Sequence, residues 1–388
     1  MISKIDKINC SGCFACYNAC PKNCITMLRD NEGFMYPLVD DSNCINCELC
    51  EKVCPMISGK SNQQALKKAF AVVNKNEKIR QNSSSGGVFT AIAERIINNG
   101  GVVFGAAFSD DFYKVKHISV DSIDELVKLR GSKYLQSEIG DSLRQAKTYL
   151  EKGVEVLFTG TPCQISGLLA YLGKGYKNLY TIDIICHGVP SQKVWEKYLK
   201  LWEEEFASKT KMVSFRNKKQ GWQDYSLAIQ FKNNTEYIRD VRNDLYLKGF
   251  IANLYLRPSC YNCKFKGIQR ESDITIADFW GIQNIYPEFD DDKGTSLIII
   301  NNDHGENCFN SVKDEFLIKE ADLNEAIKFN SAAIKPSKAH QNREKFLKES
   351  NKYKIDCAIK RALELGFLKK CKRNARRILS KIKRMVKR

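Results

Sequence analysis

Short apolar runs alternate with stretches of helical apolar spacing from residue 69 to about residue 330. The runs are of strand length and predict β-strands at Phe70–Val73, Val102–Phe108, Val115–Val120, Val154–Thr159, Leu179–Ile185, Ile274–Phe279 and Ser296–Ile300. The stretches between them predict helices at Val88–Asn98, Ser142–Lys152, Pro162–Leu172, Ser191–Phe206 and Asp240–Leu256. This alternation favours βαβ units and a parallel sheet. Two more runs, Met212–Phe215 and Leu227–Phe231, predict an antiparallel insertion.

The N-terminal part of the chain, as far as Pro55, contains two copies of one cysteine pattern. Cys10, Cys13, Cys16 and Cys20, followed by Pro21, recur with identical spacing as Cys44, Cys47, Cys50 and Cys54, followed by Pro55. The spacing C-x2-C-x2-C-x3-C-P is typical of bacterial ferredoxins that hold two [4Fe–4S] clusters. Three thiolates on a tight loop bind one cluster, and the fourth, before the proline, binds the other. The predicted ligand sets are therefore crossed: Cys10, Cys13, Cys16 and Cys54 for one cluster, and Cys44, Cys47, Cys50 and Cys20 for the other.

Zinc and disulfides are the alternatives for these cysteines. Zinc sites take ligands as two separated pairs, whereas each pattern here places its four cysteines in one short run. Residues Met1–Lys7 lack the apolar segment of a secretory signal, which disfavours disulfides and predicts a cytoplasmic protein. Cys24 lies just outside the pattern and is interpreted as a small buried residue.

These patterns divide the chain into three predicted parts. Residues 1–60 form a ferredoxin-like module, with a hairpin at Ile25–Leu28 and Phe34–Val39 between the two cysteine patterns. A polar linker at 57–68 leads to a mixed α/β domain of flavoprotein type at 69–335. A basic helical tail follows at 338–388. The predicted fold class is accordingly α+β and α/β.

Four further cysteines stand where a third metal site is expected. Cys163 and Cys186 each follow a predicted strand, and the carboxyl ends of parallel strands meet at one edge of a sheet. Cys260 and Cys263 form a C-x2-C pair. Four thiolates would complete one [4Fe–4S] cluster or one all-cysteine zinc site, and the N-terminal patterns favour iron. Buried free cysteines, or a redox-active pair, are the alternatives.

Clusters pass single electrons, but most substrates take two or a hydride, so a flavin is the predicted intermediary. One candidate loop opens a helix, where glycines permit close approach and the helix N-terminus attracts phosphate; it comprises Ser85, Gly86 and Gly87. A second loop offers a cation, a hydroxyl and an aromatic ring; it comprises Gly131, Ser132, Lys133 and Tyr134. Either loop has the simpler interpretation of a turn. No G-x-G-x-x-G pattern follows a strand, which disfavours an NAD site.

Two single residues are candidates near this flavin. His187 adjoins Cys186 and is the candidate catalytic residue, as a proton shuttle. The alternative is a polar residue at a strand end. Asp278 ends a predicted strand and is a candidate hydrogen-bond partner for the cofactor, with helix capping as the alternative.

The net charge of +17 is concentrated at the C-terminus. Residues 360–388 contain 13 Lys and Arg and a single acid, which leaves the rest of the chain at +5. In 372–388 the apolar residues recur at helical spacing among these cations, which predicts a basic amphipathic helix suited to an anionic membrane surface. A solvated tail, or one that contacts nucleic acid or an acidic partner, is the alternative, and nucleic acid is the less favoured of these partners.

With these motifs in view, residues 1–335 resemble the coenzyme F420 hydrogenase/dehydrogenase beta subunit family, whose coenzyme is a deazaflavin. The resembling stretches are Ser85–Gly87, Gly131–Tyr134, Phe158–Gln164, Cys186–Ser191, Cys260–Cys263 and Asp278–Gly281. The resemblance implies an FAD-containing oxidoreductase, with Cys163, Cys186, Cys260 and Cys263 as ligands of a third cluster. It also implies that the Ser85–Gly87 and Gly131–Tyr134 loops contact the flavin. Bacterial proteins that resemble this chain are encoded beside surface-polysaccharide genes. The resemblance therefore implies a role in surface-polysaccharide biosynthesis.

The sequence therefore favours an enzyme that takes electrons from a redox partner such as ferredoxin. Its substrate would be a small or lipid-linked molecule. A non-catalytic electron-transfer subunit that serves a partner oxidoreductase is the second hypothesis, and a zinc-containing scaffold is the third.

Overall fold

The structure is a computed structural model and describes residues 2, 5–57 and 68–364. Its strands are β1 (Ile25–Arg29), β2 (Met35–Val39), β3 (Lys68–Asn74), β4 (Val102–Phe108), β5 (Val115–Val120), β6 (Val156–Gly160), β7 (Leu179–Ile184), β8 (Thr210–Asn217), β9 (Ser226–Phe231), β10 (Glu236–Asp240), β11 (Ile274–Asp278), β12 (Ser296–Ile300) and β13 (Phe316–Ala321). Its α-helices are α1 (Ala15–Ala19), α2 (Leu49–Lys52), α3 (Glu77–Gln81), α4 (Val88–Asn98), α5 (Ile123–Leu126), α6 (Ser142–Glu151), α7 (Pro162–Leu172), α8 (Gln192–Glu205), α9 (Leu245–Ile251), α10 (Ile282–Ile285), α11 (Asp303–Asn310), α12 (Leu323–Ile327) and α13 (Arg343–Glu349). Residues 355–364 are also helical, and short 3₁₀ helices occur at Pro258–Asn262, Pro287–Phe289, Lys313–Glu315 and Ser331–Ala333.

The main sheet has eight strands in the order β13-β3-β12-β11-β7-β6-β4-β5. The pairs β4–β6, β6–β7 and β7–β11 are parallel, and the remaining pairs are antiparallel. The expectation of a parallel sheet is therefore correct only at its centre. Strands β4 and β5 are joined by a short loop, and so short a connection permits only an antiparallel pair. Apolar runs reveal buried strands, but they carry no information about strand direction.

The predicted antiparallel insertion is present as the three-stranded sheet β10-β9-β8. This sheet packs with α8 and α9 around an aromatic cluster that includes Trp195, Phe215 and Tyr246. The expected long helix Asp240–Leu256 is wrong, because only α9 is helical there and β10 ends at Asp240. Asp244 begins α9 by accepting a hydrogen bond from the Leu247 amide, which starts the helix several residues later than predicted.

Local capping signals position the elements that border the site. Thr161 and Gln164 form a capping box at the start of α7, and Pro162 occupies the first helical turn. Ser191 caps α8 as predicted, with its hydroxyl accepting from the Val194 amide. These caps fix where the chain leaves β6 and where it enters α8 after β7.

The N-terminal module is the predicted hairpin, β1 against β2, with the two cysteine patterns around it. It packs against α7, where a side chain on Gly167 would place a Cβ 2.8 Å from the Cys13 Cβ. Arg144 of α6 donates to the carbonyl oxygens of Tyr17 and Asn18. The module is therefore held directly against the α/β domain.

The C-terminal segment partly joins the core. Phe346, Ile355 and Ile359 are buried in the aromatic cluster, and Arg343 pairs with Glu32 of the N-terminal hairpin turn. The predicted amphipathic helix at 372–388 lies outside the described residues. No helix among the residues that the structure describes is both long and apolar enough to span a bilayer.

Candidate functional site

One crossed set of predicted ligands lines a small cavity in the N-terminal module, which we call cavity A. Its cysteines are Cys10, Cys13, Cys16 and Cys54. The first three come from the loop before α1 and from α1 itself, and the fourth follows α2. Burial, with a contribution from the neighbouring thiols, raises the pKa of Cys13 to about 12. The fold therefore brings together the four cysteines that the spacing assigns to one cluster.

The second crossed set lines a cavity of about 260 Å³, which we call cavity B. Its cysteines are Cys20, Cys44, Cys47 and Cys50, with Cys24 as a fifth. Cys47 is exposed to solvent, whereas all four cysteines of cavity A are buried. Cys24 is buried as expected, but its Sγ lies 3.3 Å from that of Cys20, so it contacts a predicted ligand.

The four remaining candidate ligands line a third cavity, cavity C. Cys163 lies in the first turn of α7, shortly after β6, and Cys186 lies shortly after the end of β7, the adjacent parallel strand. Cys260 lies in the 3₁₀ helix Pro258–Asn262, and Cys263 follows it. The structure therefore brings the two strand ends together, as the sheet-edge argument predicts, and places the distant C-x2-C pair beside them.

The thiols of cavity C are crowded. Burial and neighbouring thiols raise the pKa of Cys260 to about 12 and that of Cys163 well above the ordinary cysteine value. Metal ligation requires the thiolate, so iron binding here would release protons. In 5–57 and 68–364, no three or more His, Cys, Asp or Glu side chains are arranged around a single metal ion. A [4Fe–4S] cluster does not need such a single-ion site, because its four thiolate ligands bind four different iron atoms around a cavity.

Cavity A, cavity C and a large cleft form a row. Ser11 and Met56 border both cavity A and cavity C. Residues 186–189 border both cavity C and the cleft, whose volume is about 510 Å³. The cleft lies at the carboxyl ends of β6, β7 and β11, where open α/β sheets bind ligands. Its volume is in the usual range for a cofactor site.

The two predicted flavin loops meet at the cleft. The Ser84 hydroxyl accepts hydrogen bonds from the amide and the hydroxyl of Ser132, at 2.7 and 2.9 Å. Ser85 and Gly87 line the cleft, but Gly86 does not. Gly86 has a packing role, because a Cβ there would collide with the Val72 carbonyl oxygen.

The second loop presents an ammonium group to the cleft. Lys133 donates to the Arg130 carbonyl oxygen at 2.8 Å, and burial lowers its pKa to about 7. The ring of Tyr134 packs on Phe215 and Phe250, and Gly131 has a φ of +81° in an open position. All four predicted residues of this loop, Gly131, Ser132, Lys133 and Tyr134, line the cleft.

His187 and Asp278 also border the cleft. The Nε2 of His187 lies 2.6 Å from the Asn253 Oδ1, and burial lowers the pKa of the imidazole. Asp278 ends β11 and accepts from the Arg216 guanidinium at 2.9 Å and from the Trp222 indole at 2.8 Å. Its alternative role as a helix cap is absent, since α10 begins after Gly281.

Three family models match the chain. Residues 9–57 match a 4Fe-4S dicluster domain. Residues 69–144 match the N-terminal model, and residues 153–326 the C-terminal model, of the coenzyme F420 hydrogenase/dehydrogenase beta subunit. These two models together cover more than half of the chain. The chain belongs to the coenzyme F420 hydrogenase/dehydrogenase beta subunit family. The predicted resemblance is confirmed, and the chain is an iron–sulfur protein of an oxidoreductase family.

Two known proteins are similar to this chain. The coenzyme F420-dependent sulfite reductase of Methanocaldococcus jannaschii is 26% identical over 196 residues, which cover 50% of this chain and 30% of that protein. The match thus spans less than a third of the length of that curated relative. A chain of the F420-reducing [NiFe] hydrogenase complex from Methanosarcina barkeri is 16% identical, with a TM-score of 0.44 over 76% of this chain and 90% of that chain.

Sequence reasoning missed two residues of the family member's cleft, His117 and Arg216. His117 on β5 stacks on Phe158 with its Nε2 2.8 Å from the Thr159 carbonyl oxygen, and burial lowers its pKa to about 4. Arg216 on β8 lies over the Tyr225 ring at 3.9 Å. The alternation of Val115 and His117 on a half-buried strand was the available signal for the first. No local sequence pattern predicts that Arg216 lines the cleft, because Arg216 reaches the cleft only when the three-stranded insertion sheet packs there.

Buried polar atoms indicate that the cleft suits a polar ligand. Among the described residues, the His117 Nδ1, the Arg130 Nε and the Arg216 Nε are buried without a hydrogen-bond partner. Such groups are normally satisfied, and each of these residues lines the cleft. The lining carries three cations, Arg130, Lys133 and Arg216, and a single carboxylate, Asp278. The residues present therefore fit an anionic cofactor such as FAD.

Proposed function

We propose that this family member is an iron–sulfur flavoprotein oxidoreductase. The supporting observation is the row of cysteine-lined cavities that ends at the cationic cleft. Cavities A and B would hold the two ferredoxin-type clusters, and cavity C a third [4Fe–4S] cluster. Bound there, the clusters would supply single-electron transfer, and an FAD held in the cleft would allow those electrons to be delivered as pairs or as a hydride.

The chain's own residues have distinct proposed roles. The joined loops at Ser84–Gly87 and Gly131–Tyr134 would hold the FAD, with Lys133 and Arg216 opposite its negative charge. Asp278 would orient Arg216 and take a cofactor hydrogen bond with its remaining lone pairs. His187 lies where cavity C meets the cleft, and burial lowers the pKa of its imidazole, which favours the neutral form that can accept a substrate proton.

Electrons would enter at cavity B, because Cys47 is exposed there. Around it, Ile45 and Leu49 are exposed apolar side chains. The surrounding loop carries more acids than bases: Asp40, Asp41, Glu48 and Glu51 against Lys22 and Lys52. We propose a redox partner such as a ferredoxin whose cofactor edge has a basic rim.

The proposed substrate is anionic, since the cleft is cationic. A phosphorylated or lipid-linked intermediate of surface-polysaccharide biosynthesis satisfies this requirement, as does the deazaflavin coenzyme.

For the tail at 372–388 we propose reversible attachment to the inner membrane surface, at about 1 kcal/mol per cation. Retention on anionic liposomes, compared with a chain that ends at Glu364, measures this attachment.

Anaerobic purification and elemental analysis test the proposed function. About twelve irons and matching sulfide, together with FAD, are expected for each chain. Zinc in place of four irons would contradict the third cluster, and twelve irons without flavin would contradict the flavoprotein. Reoxidation of the reduced flavin by candidate acceptors, including the deazaflavin, then identifies the substrate class.

The second candidate is a non-catalytic electron-transfer subunit. The family's description as a beta subunit favours this function. Such a subunit would not turn over any small-molecule acceptor until its partner enzyme is added. Turnover by the isolated chain excludes this candidate.

The affinity of the cleft for FAD is expected to fall as the pH rises. The pKa of Lys133 is about 7, so its ammonium is present below this pH and is lost above it. A bound anion raises that pKa, which moves the loss to somewhat higher pH. A charged hydrogen bond contributes about 1.5 kcal/mol, so the dissociation constant should rise roughly tenfold from pH 6 to pH 9.

Flavin fluorescence measured against pH checks this expectation. Lys133→Arg should bind FAD with a flat pH profile, because the guanidinium stays charged. Lys133→Met should also bind FAD with a flat pH profile, but with the weaker affinity of a cleft that lacks this charge. A wild-type profile identical to that of Lys133→Met would remove Lys133 from the cofactor site.

A further inference from the structure

A buried arginine connects the two cysteine systems. Arg257 lies just before Cys260 of cavity C in the chain, and its side chain enters the N-terminal module. It is fully buried, at 0% exposure. Its Nε donates to the Cys10 carbonyl oxygen at 2.8 Å, and its Nη2 donates to the Met35 carbonyl oxygen at 2.9 Å. The same Nη2 lies 3.5 Å from the Sγ of Cys10, a predicted cluster ligand.

This guanidinium has no counter-charge among the described residues. Its other contacts are neutral: the Gln136 Oε1 at 2.9 Å and the ring of Tyr36, 4.4 Å from the guanidinium carbon. None of the ion pairs between described residues includes Arg257. An uncompensated buried charge costs several kcal/mol, so its surroundings are expected to supply an anion. A cluster with four thiolate ligands is net negative, and Cys10 Sγ is where Arg257 would meet it.

The N-terminal loop is shaped to admit this arginine. Gly12 lies between Cys10 and Cys13 with a φ of +67°, and a Cβ there would stand 2.7 Å from the Arg257 Nη1. Any side chain at position 12 would therefore displace the guanidinium. The close approach of Arg257 to cavity A thus depends on a glycine inside the cysteine pattern.

We propose that Arg257 is a positioning residue that favours the reduced state of the cluster in cavity A. The proposal rests on the proposed function only in that cavity A holds a [4Fe–4S] cluster. Reduction of that cluster would add one electron, and hence one negative charge, beside the guanidinium. A cation in a dry interior stabilises that added charge, and hydrogen bonds to cluster sulfurs raise the potential. A higher potential of the cluster in cavity A would favour electron transfer to it from the cluster in cavity B, where the exposed Cys47 is accessible to a redox partner.

The test is a redox titration of the purified anaerobic protein, followed by low-temperature EPR. Arg257→Met keeps the apolar part of the side chain and removes the guanidinium, with its positive charge and its N–H donors. We expect iron content to be retained and the ratio of reduced to oxidised cluster A, at a fixed potential, to fall about tenfold. That change corresponds to about 59 mV for one electron. Arg257→Lys keeps the positive charge but lacks the planar guanidinium. Its ratio of reduced to oxidised cluster A should lie between those of the wild type and Arg257→Met.

Arg144→Met is the matched control. Arg144 also joins the module to the α/β domain, through the carbonyl oxygens of Tyr17 and Asn18, but none of its hydrogen bonds reaches a thiol. The reduction potential of cluster A should be unchanged in Arg144→Met. An unshifted potential in Arg257→Met, or an equal shift in Arg144→Met, overturns the proposal. If neither Arg257→Met nor Arg257→Gln loads its clusters, Arg257 is required for assembly instead, and potential tuning is rejected. These readouts need no flavin, so they are separate from the test of the flavoprotein.

Discussion

Replacement of Cys186 by serine is expected to remove about four of roughly twelve irons per chain. Cys186 follows β7 and lines cavity C with Cys163, Cys260 and Cys263. A [4Fe–4S] cluster with only three thiolates is labile, so the third cluster should be lost. The N-terminal clusters should remain, because cavities A and B share no cysteine with cavity C.

Iron and sulfide analysis of anaerobic protein, with EPR of the dithionite-reduced sample, measures this loss. Cys308→Ser is the control, since Cys308 is a buried cysteine in the core cluster around α11 and lines none of the cavities. It should keep all its iron. Unchanged iron in the Cys186 variant would mean that cavity C holds no cluster. Loss of all iron would mean that the three sites assemble as one unit.

Arg216→Met is expected to lower the free energy of unfolding by about 3 kcal/mol. The side chain of Arg216 is 3% exposed and that of Asp278 is 20% exposed, so the change leaves a largely buried carboxylate without its cation. The Trp222 indole hydrogen bond to Asp278 compensates only in part. Affinity for FAD should fall as well, because the cleft loses one of its three cations.

A double variant separates these two effects. Arg216→Met with Asp278→Leu removes both charges, so most of the stability should return, whereas affinity for FAD should stay low. Urea unfolding and flavin fluorescence measure the two quantities. If affinity recovers together with stability, Arg216 has a structural role and does not bind the cofactor.

The N-terminal module was predictable because its chemistry is local. Four cysteines in one short run, repeated once, predict the ligand chemistry and the crossed pairing before any fold is known, and the fold places each predicted set around one cavity. The helix Val88–Asn98 and the strands Val102–Phe108 and Val115–Val120 were also correct to the residue. Each has strong apolar spacing and a clear break at its end.

The errors share a physical cause. The helix expected at Asp240–Leu256 contains several helix-compatible residues, but Asp240 ends β10 by pairing with Ser226 of a neighbouring strand. The mixed direction of the main sheet likewise depends on which strands become neighbours. Pairing between distant segments decides both features, and local propensity does not encode it.

Residue types and spacing were sufficient to predict the eight N-terminal cysteines as cluster ligands, to place Cys163 and Cys186 at strand ends and to identify the family. Folding was required to place Cys260 and Cys263 beside those strand ends, to carry Arg216 and His117 into the cleft and to bury Arg257 against Cys10. A ligand pattern on one loop is written in consecutive residues. A cleft or a buried charge gathers residues far apart in the chain, and their proximity exists only after the sheets have packed.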